Sequence, residues 1–259
     1  METAGIQGEL WSTKAHDWAY LFEPMSAPLW IAMLESADVQ EGVRFADLGC
    51  GGGGASILAL NRGAQVSGLD AAIALIAIAR DRVASGDFRV GDLESLPFDD
   101  DSFDVTFTSL SLMFVNDMAK ALSEMKRVTV SGGRVTVGVW GFPEDCEYRH
   151  ILRAIANTLP SPPVGNGPFS LSQGNLLENL MQSADLKLLE SGEVDAPFRF
   201  VDSDAMLRMV GSVGPMQSAR QLVSEEALKT AILQAAKPYQ QNSGEIVFNN
   251  RLKYVTAIA

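Results

Sequence analysis

Between residues 43 and 140 short apolar runs alternate with longer stretches of helical spacing. The pattern predicts strands at 43–48, 64–69, 87–91, 103–109 and 133–140, with helices at 53–62, 72–84 and 117–129 between them. In the last helix Met118, Leu122, Met125 and Val128 fall on one face, and Lys120, Glu124 and Arg127 fall elsewhere. Gly132-Gly133 supplies a stop and turn after it. Strands separated by helices imply βαβ units and a parallel sheet, hence an α/β fold. Residues 1–42 read as helical, with Trp11, Trp18, Leu21, Trp30, Met33 and Leu34 as apolar positions and breaks at Pro24 and Pro28. Beyond Trp140 the spacing predicts a helix over 144–159, a Pro/Gly-rich loop over 160–168 and a helix over 171–184. A long strand over 186–200, helix over 202–236 interrupted at 211–215, and a final strand over 245–259 follow.

The strand at 43–48 runs into Asp47-Leu-Gly-Cys-Gly-Gly-Gly-Gly-Ala-Ser56. Glycine reaches positive φ and has no Cβ, so a ligand can lie against its backbone, and the N–H groups opening the next helix are free to bind it. Two ligand classes compete. Gly49, Gly51 and Gly54 satisfy G-x-G-x-x-G, the dinucleotide pattern. Asp47, Gly49, Gly51 and Gly53 satisfy D-x-G-x-G-x-G. A pyrophosphate gains nothing from a carboxylate beside it, whereas the sulfonium and ammonium of S-adenosylmethionine are attracted by one. Asp47 tilts the reading towards S-adenosylmethionine.

A chain of 259 residues with 47% hydrophobic and 20% charged residues is long enough for one substantial core with an appended cap. Its formal charge of −12, with no basic run, argues against nucleic acid as a partner. Cys50 and Cys146 have no CxxC spacing and no accompanying histidines, so neither a disulfide framework nor a metal site is suggested. The longest apolar stretch, 71–79, is too short to cross a bilayer, and no leader is visible. A soluble cytoplasmic protein without membrane insertion follows by default, and a homodimer stays open.

Phe45–Gly54 resembles motif I of the class I S-adenosylmethionine-dependent methyltransferases. Gly68-Leu-Asp70, Gly91-Asp-Leu-Glu-Ser-Leu-Pro-Phe98, Ser102-Phe-Asp-Val105 and Gly132–Val137 continue the likeness in order. The set is similar to the small-molecule subfamily of ubiquinone and menaquinone methyltransferases and covers roughly residues 43–141. The resemblance implies a Rossmann-like, mostly parallel sheet ending in an antiparallel hairpin. It also implies a helical lid over 1–42, a nucleoside-binding core over 43–141, the remainder of the core with a helical cap over 142–245, and a last strand over 246–259.

It further implies that Asp47, Gly49, Gly51 and Gly53 meet the methionine part of the cofactor. Asp70 and Ala71 would meet the ribose, Asp92 and Leu93 the adenine, and Ser109 and Leu110 the cofactor from the fourth strand. Relatives carry histidines where this chain has Met113 and Phe114, so that general base is missing. His16, in the lid, and His150 are the two remaining imidazoles and candidate bases. Trp18, Tyr20, Met113, Phe114 and Trp140 are candidate linings of the substrate side. The implied function is methyl transfer to a small, largely apolar molecule, driven mainly by proximity. A cofactor-binding protein that transfers no methyl, or a nicotinamide-dependent oxidoreductase, are the competing readings.

Overall fold

A computed structural model describes residues 3–161 and 167–259, so the middle of the expected 160–168 loop, residues 162–166, lies outside the described residues. Five parallel strands, β1 (Arg44–Leu48), β2 (Gln65–Asp70), β3 (Asp87–Val90), β4 (Phe103–Ser109) and β5 (Thr129–Trp140), form most of the main sheet. β6 (Lys187–Asp195) completes one edge, β7 (Phe198–Phe200) and β8 (Ile246–Phe248) lie apart, and β9 (Arg251–Ile258) closes the chain. The sheet order is β3-β2-β1-β4-β5-β9-β6, with β9 antiparallel to both β5 and β6. From β1 the chain winds one way to β3, then returns to β1's other side as β4. The crevice beyond the carboxyl ends of β1 and β4 is therefore the switch point where such sheets take ligands.

Helices cover both faces. α1 (Thr3–Ser12), α2 (Ala15–Asp17) and α3 (Ala27–Ser36) precede the sheet. α4 (Gly54–Leu60), α5 (Ile73–Arg82) and α6 (Met118–Val128) are its crossovers, and α7 (Arg149–Thr158) and α8 (Leu176–Ser183) follow it. α9 (Ser203–Val210), α10 (Gly214–Arg220) and α11 (Glu225–Ala236) lie between β7 and β8, in the segment expected to be the cap. Pro24 and Pro28 sit in the first turns of a 3₁₀ segment and of α3, where a missing N–H costs nothing. Asp117 and Asp202 cap α6 and α9 by accepting the Lys120 and Ala205 N–H groups. One core packs Phe45 and Phe107 against α3, α4, α5 and the cap. The other packs Leu122, Met125 and Met181 against Val135, Val137 and Val139 on the opposite face. Burial on both faces explains why the central strands read as continuous apolar runs.

Three expectations are corrected. Gly132 (φ +82°) does not end an element but lies in β5, which begins at Thr129 and passes an irregularity in its pairing with β4. The strand expected over 186–200 breaks at Ala196-Pro197, because proline has no N–H for a ladder. The strand expected over 245–259 breaks at Asn249-Asn250 in step with it. The outer pieces, β7 and β8, pair with each other and carry the cap away from the main sheet. Buried Asn250 fixes this corner: its carbonyl takes the Ala196 N–H at 2.7 Å, and its Oδ1 takes the Tyr148 N–H at 2.9 Å.

Candidate cofactor and acceptor site

The loop after β1 is anchored to β2 by the Gly49 and Cys50 N–H groups, which both donate to the Leu69 carbonyl. Gly51 has φ +55°, and a Cβ there would collide with the Trp18 ring; the lid itself, pressed onto the loop, requires this glycine. Asp47, almost fully buried, accepts a 2.7 Å hydrogen bond from Ser56 Oγ. Burial pushes its carboxyl up to about 7. Asp70 accepts the Gly51 N–H on Oδ2 at 2.9 Å and the Ala72 N–H on Oδ1 at 2.8 Å, so it ties the loop to the end of β2. Burial raises its pKa as well, against those two bonds. Asp92 accepts the Glu94 N–H at 2.9 Å, and Glu94 accepts the Asn116 and Asp117 N–H groups ahead of α6. Cys50 is buried beneath the loop, where desolvation holds the thiol protonated and unreactive.

The N-terminal segment expected to be a lid is tied to the glycine loop by a pair that sequence reasoning missed. Glu23, 2% exposed, accepts the Gly52 N–H at 2.7 Å and the Arg82 guanidinium at 2.5 Å. Arg82 also donates to the Gly52 and Ala19 carbonyls and lies over the Tyr20 ring. Desolvation outweighs Arg82 and raises Glu23 to about 7. A signal was available: Glu23 is the one charged residue between Trp18 and Leu34. Trp11 packs edge-on against Trp18 and Phe114, and the Trp30 N–H donates to Ser109 Oγ at 3.1 Å. Ser111 Oγ donates to the Gly49 carbonyl, next to Leu110 at φ +55°.

These elements enclose a cavity of about 660 Å³. Asp47, Gly49, Asp70, Ala71, Asp92 and Leu93 line one end, and Ser109, Leu110, Met113, Phe114, Trp18 and Trp140 continue the wall. Tyr148, Leu152 and Ile155 of the α7 segment, none of them expected, extend it under the cap. Gly51 and Gly53 do not line it. Trp18 covers the first, and the second caps α4 with Ala79 against it. His16 is exposed and stacks on Tyr20, itself 52% exposed, so neither faces the cavity. His150 lies in a separate shallow cleft between α7 and the end of α11, beside Tyr239. Both histidines therefore lie outside this cavity. Their helical registers turn them to solvent-facing surfaces, which composition alone does not reveal.

Among the described residues, three buried polar atoms of residues around this cavity have no hydrogen-bond partner: Trp18 Nε1, Ser26 Oγ and Tyr148 Oη. The carboxylates at the ends of β1–β3 suit an amino-acid-bearing nucleoside better than a pyrophosphate.

Residues 46–137 match the family described as "Methyltransferase domain". The chain is 33% identical over 139 residues to demethylmenaquinone methyltransferase of Renibacterium salmoninarum, covering 51% of this chain and 59% of that protein. It is 31% identical over 207 residues to methyltransferase GfsG of Streptomyces halstedii, covering 73% and 70%. The chain thus spans little more than half the length of the first of these relatives. Among solved structures, the YcgJ protein of Bacillus subtilis superposes with a TM-score of 0.60 at 22% identity, over 88% of this chain and 97% of that one. That likeness concerns the fold.

Proposed function

The chain belongs to the class I S-adenosylmethionine-dependent methyltransferases, and from that premise we propose that it transfers a methyl group to a small, largely apolar molecule. The observation that carries this is a single cavity with a carboxylate-rich end at the glycine loop and an apolar, aromatic end beneath the cap. S-adenosylmethionine, when bound, supplies a methyl group already activated by its sulfonium. Asp70 would accept the ribose hydroxyls on the lone pairs its two backbone bonds leave free, and Asp92 with the Leu93 backbone would hold the adenine edge. Asp47 would face the ammonium.

What remains for the protein is positioning. The lid, latched through Glu23 and Arg82, excludes water, and Trp18, Met113 and Trp140 wall the path along which an acceptor approaches. Alignment of two bound reactants can supply roughly 7–11 kcal/mol. With His16 and His150 outside the cavity, no imidazole stands ready to take a proton, which favours proximity over general-base catalysis.

Calorimetric titration with S-adenosylmethionine, S-adenosylhomocysteine and NADH, followed by labelled-methyl transfer to a panel of hydroxylated aromatics, tests the reading. Binding of the two sulfur nucleosides and stoichiometric label transfer are expected. Heat from NADH alone would replace the proposal with hydride chemistry, and binding without transfer would reduce the protein to a cofactor binder.

A further inference from the structure

Gly49, Gly51 and Gly54 carry the dinucleotide spacing, in which the second glycine lets a pyrophosphate lie against the backbone. Each N–H from Gly49 to Gly53 is already engaged within the protein. Gly49 and Cys50 both donate to the Leu69 carbonyl, and Gly53 donates to the Cys50 carbonyl. Gly51 donates to Asp70 Oδ2 at 2.9 Å, and Gly52 to Glu23 Oε1 at 2.7 Å. Four of these five bonds stay within β2 and the loop. The fifth acceptor, Glu23, arrives from the N-terminal segment ahead of α3.

Glu23 holds this place by shape as well as by charge. A Cβ on Gly51 would overlap the Trp18 ring and lie 2.9 Å from Glu23 Oε1. One on Gly54 would meet Trp30 at 2.6 Å and Glu23 Oε2 at 3.2 Å. The missing side chains thus make room for Trp18, Trp30 and Glu23, which stand against the backbone a pyrophosphate would need. Glu23 is buried, and its Oε2 takes the Arg82 guanidinium, which also donates to the Gly52 and Ala19 carbonyls. One carboxylate therefore satisfies two donors, the Gly52 N–H and Arg82, that would otherwise suit an anion. Its charge also adds to a negative surround. After burial itself, Asp47, Asp70 and Glu23 each oppose ionisation of the Cys50 thiol beneath the loop. A further anion entering here would meet these three carboxyl groups.

We propose that Glu23 is a specificity residue for the cofactor: as the protein's own anion on the Gly52 N–H and Arg82, it closes the glycine loop to phosphate-bearing nucleotides. A loop whose spacing fits a dinucleotide is thereby restricted to ligands that bring no phosphate to it. The inference concerns what the loop refuses, so it stands apart from whether a methyl group is transferred.

The test titrates inorganic pyrophosphate and, separately, S-adenosylhomocysteine into wild type, Glu23→Ala, Glu23→Gln and the double variant Glu23→Gln/Arg82→Gln. It is run at pH 8, where wild-type Glu23 is mostly ionised. Glu23→Ala uncovers the Gly52 N–H and frees Arg82, and should bind pyrophosphate at least about tenfold more tightly than wild type. Glu23→Gln keeps the size and the acceptor for Gly52 while removing the charge. It should gain affinity in the same direction, and it decides the matter where Glu23→Ala does not fold. The gain should disappear in the double variant, whose neutral pair is tolerated in a buried position but offers an anion no guanidinium. A folded single variant that binds pyrophosphate no better than wild type, or a gain that survives without Arg82, overturns the proposal. Wild type that ignores pyrophosphate and S-adenosylhomocysteine alike would sink the methyl-transfer reading, while a gain in the single variants would still uphold the role of Glu23.

Discussion

Asp70 holds two backbone N–H groups, those of Gly51 and Ala72, so it shapes the glycine loop, and in the proposed reading its remaining lone pairs would meet a ribose. Asp70→Ala removes both functions, and loss of charged hydrogen bonds worth about 1.5–3 kcal/mol predicts at least tenfold weaker binding of S-adenosylhomocysteine by calorimetry. Unchanged affinity would move the ribose elsewhere. Asp47 makes a separate prediction. Its folded carboxyl titrates near 7, and only the ionised form attracts an ammonium. Affinity for S-adenosylhomocysteine should therefore rise as pH climbs from 6 to 8, by about tenfold for one group with a pKa near 7. Asp47→Asn should flatten that profile, so a slope that survives the substitution would point to another group. The place of both aspartates at the cavity was legible because they stand at fixed offsets from a glycine loop. That His16 and His150 lie outside the cavity was not legible, because an imidazole carries no such offset and only the helical register decides whether it meets a cavity or not.

At the level of elements, the lid segment from Trp18 to Ser26 is held less by helix propensity than by its contact with the glycine loop. Gly51 makes room for Trp18, and Glu23 bridges the Gly52 N–H to Arg82. Removing one member of a buried ion pair strands the other, so Arg82→Ala should destabilise the protein by about 3 kcal/mol in urea unfolding at pH 8. The cost should shrink at pH 6, because a Glu23 without its guanidinium takes up a proton instead of remaining a buried charge. A cost that does not change with pH would show that Glu23 is already neutral beside Arg82. The alternating elements from 43 to 140 were readable because each βα unit follows its own local period. The latch, and the paired breaks at Pro197 and Asn249, were not. Each depends on partners far along the chain, 59 residues for Glu23 and Arg82 and 54 for Ala196 and Asn250. Periodicity sees neither; a lone acid in an apolar run and a proline in a strand were the only local traces.

Across the whole molecule, two carboxyls, Glu23 and Asp47, lie folded with pKa values near 7 from ordinary values of 4.5 and 3.8. Between about pH 4 and 7 the native state therefore binds more protons at these positions than the unfolded chain. Their contribution makes stability fall as pH rises through that window and level off above it. A cofactor whose ammonium faces Asp47 opposes this trend, because it favours the ionised carboxylate that the empty site disfavours. At one hundred times its dissociation constant a ligand adds about 2.7 kcal/mol. At this chain length each kilocalorie moves Tm by roughly 2–4 °C. Scanning calorimetry at pH 8 with S-adenosylhomocysteine should thus raise Tm by about 5–10 °C. The same ligand concentration at pH 6 should raise it less, since Asp47 must first lose its proton. The ligand-free Tm should move the opposite way as far as these two groups govern it. Equal ligand shifts at both pH values would separate the carboxylate at the end of β1 from the ammonium and require the nucleoside to lie differently across the switch point.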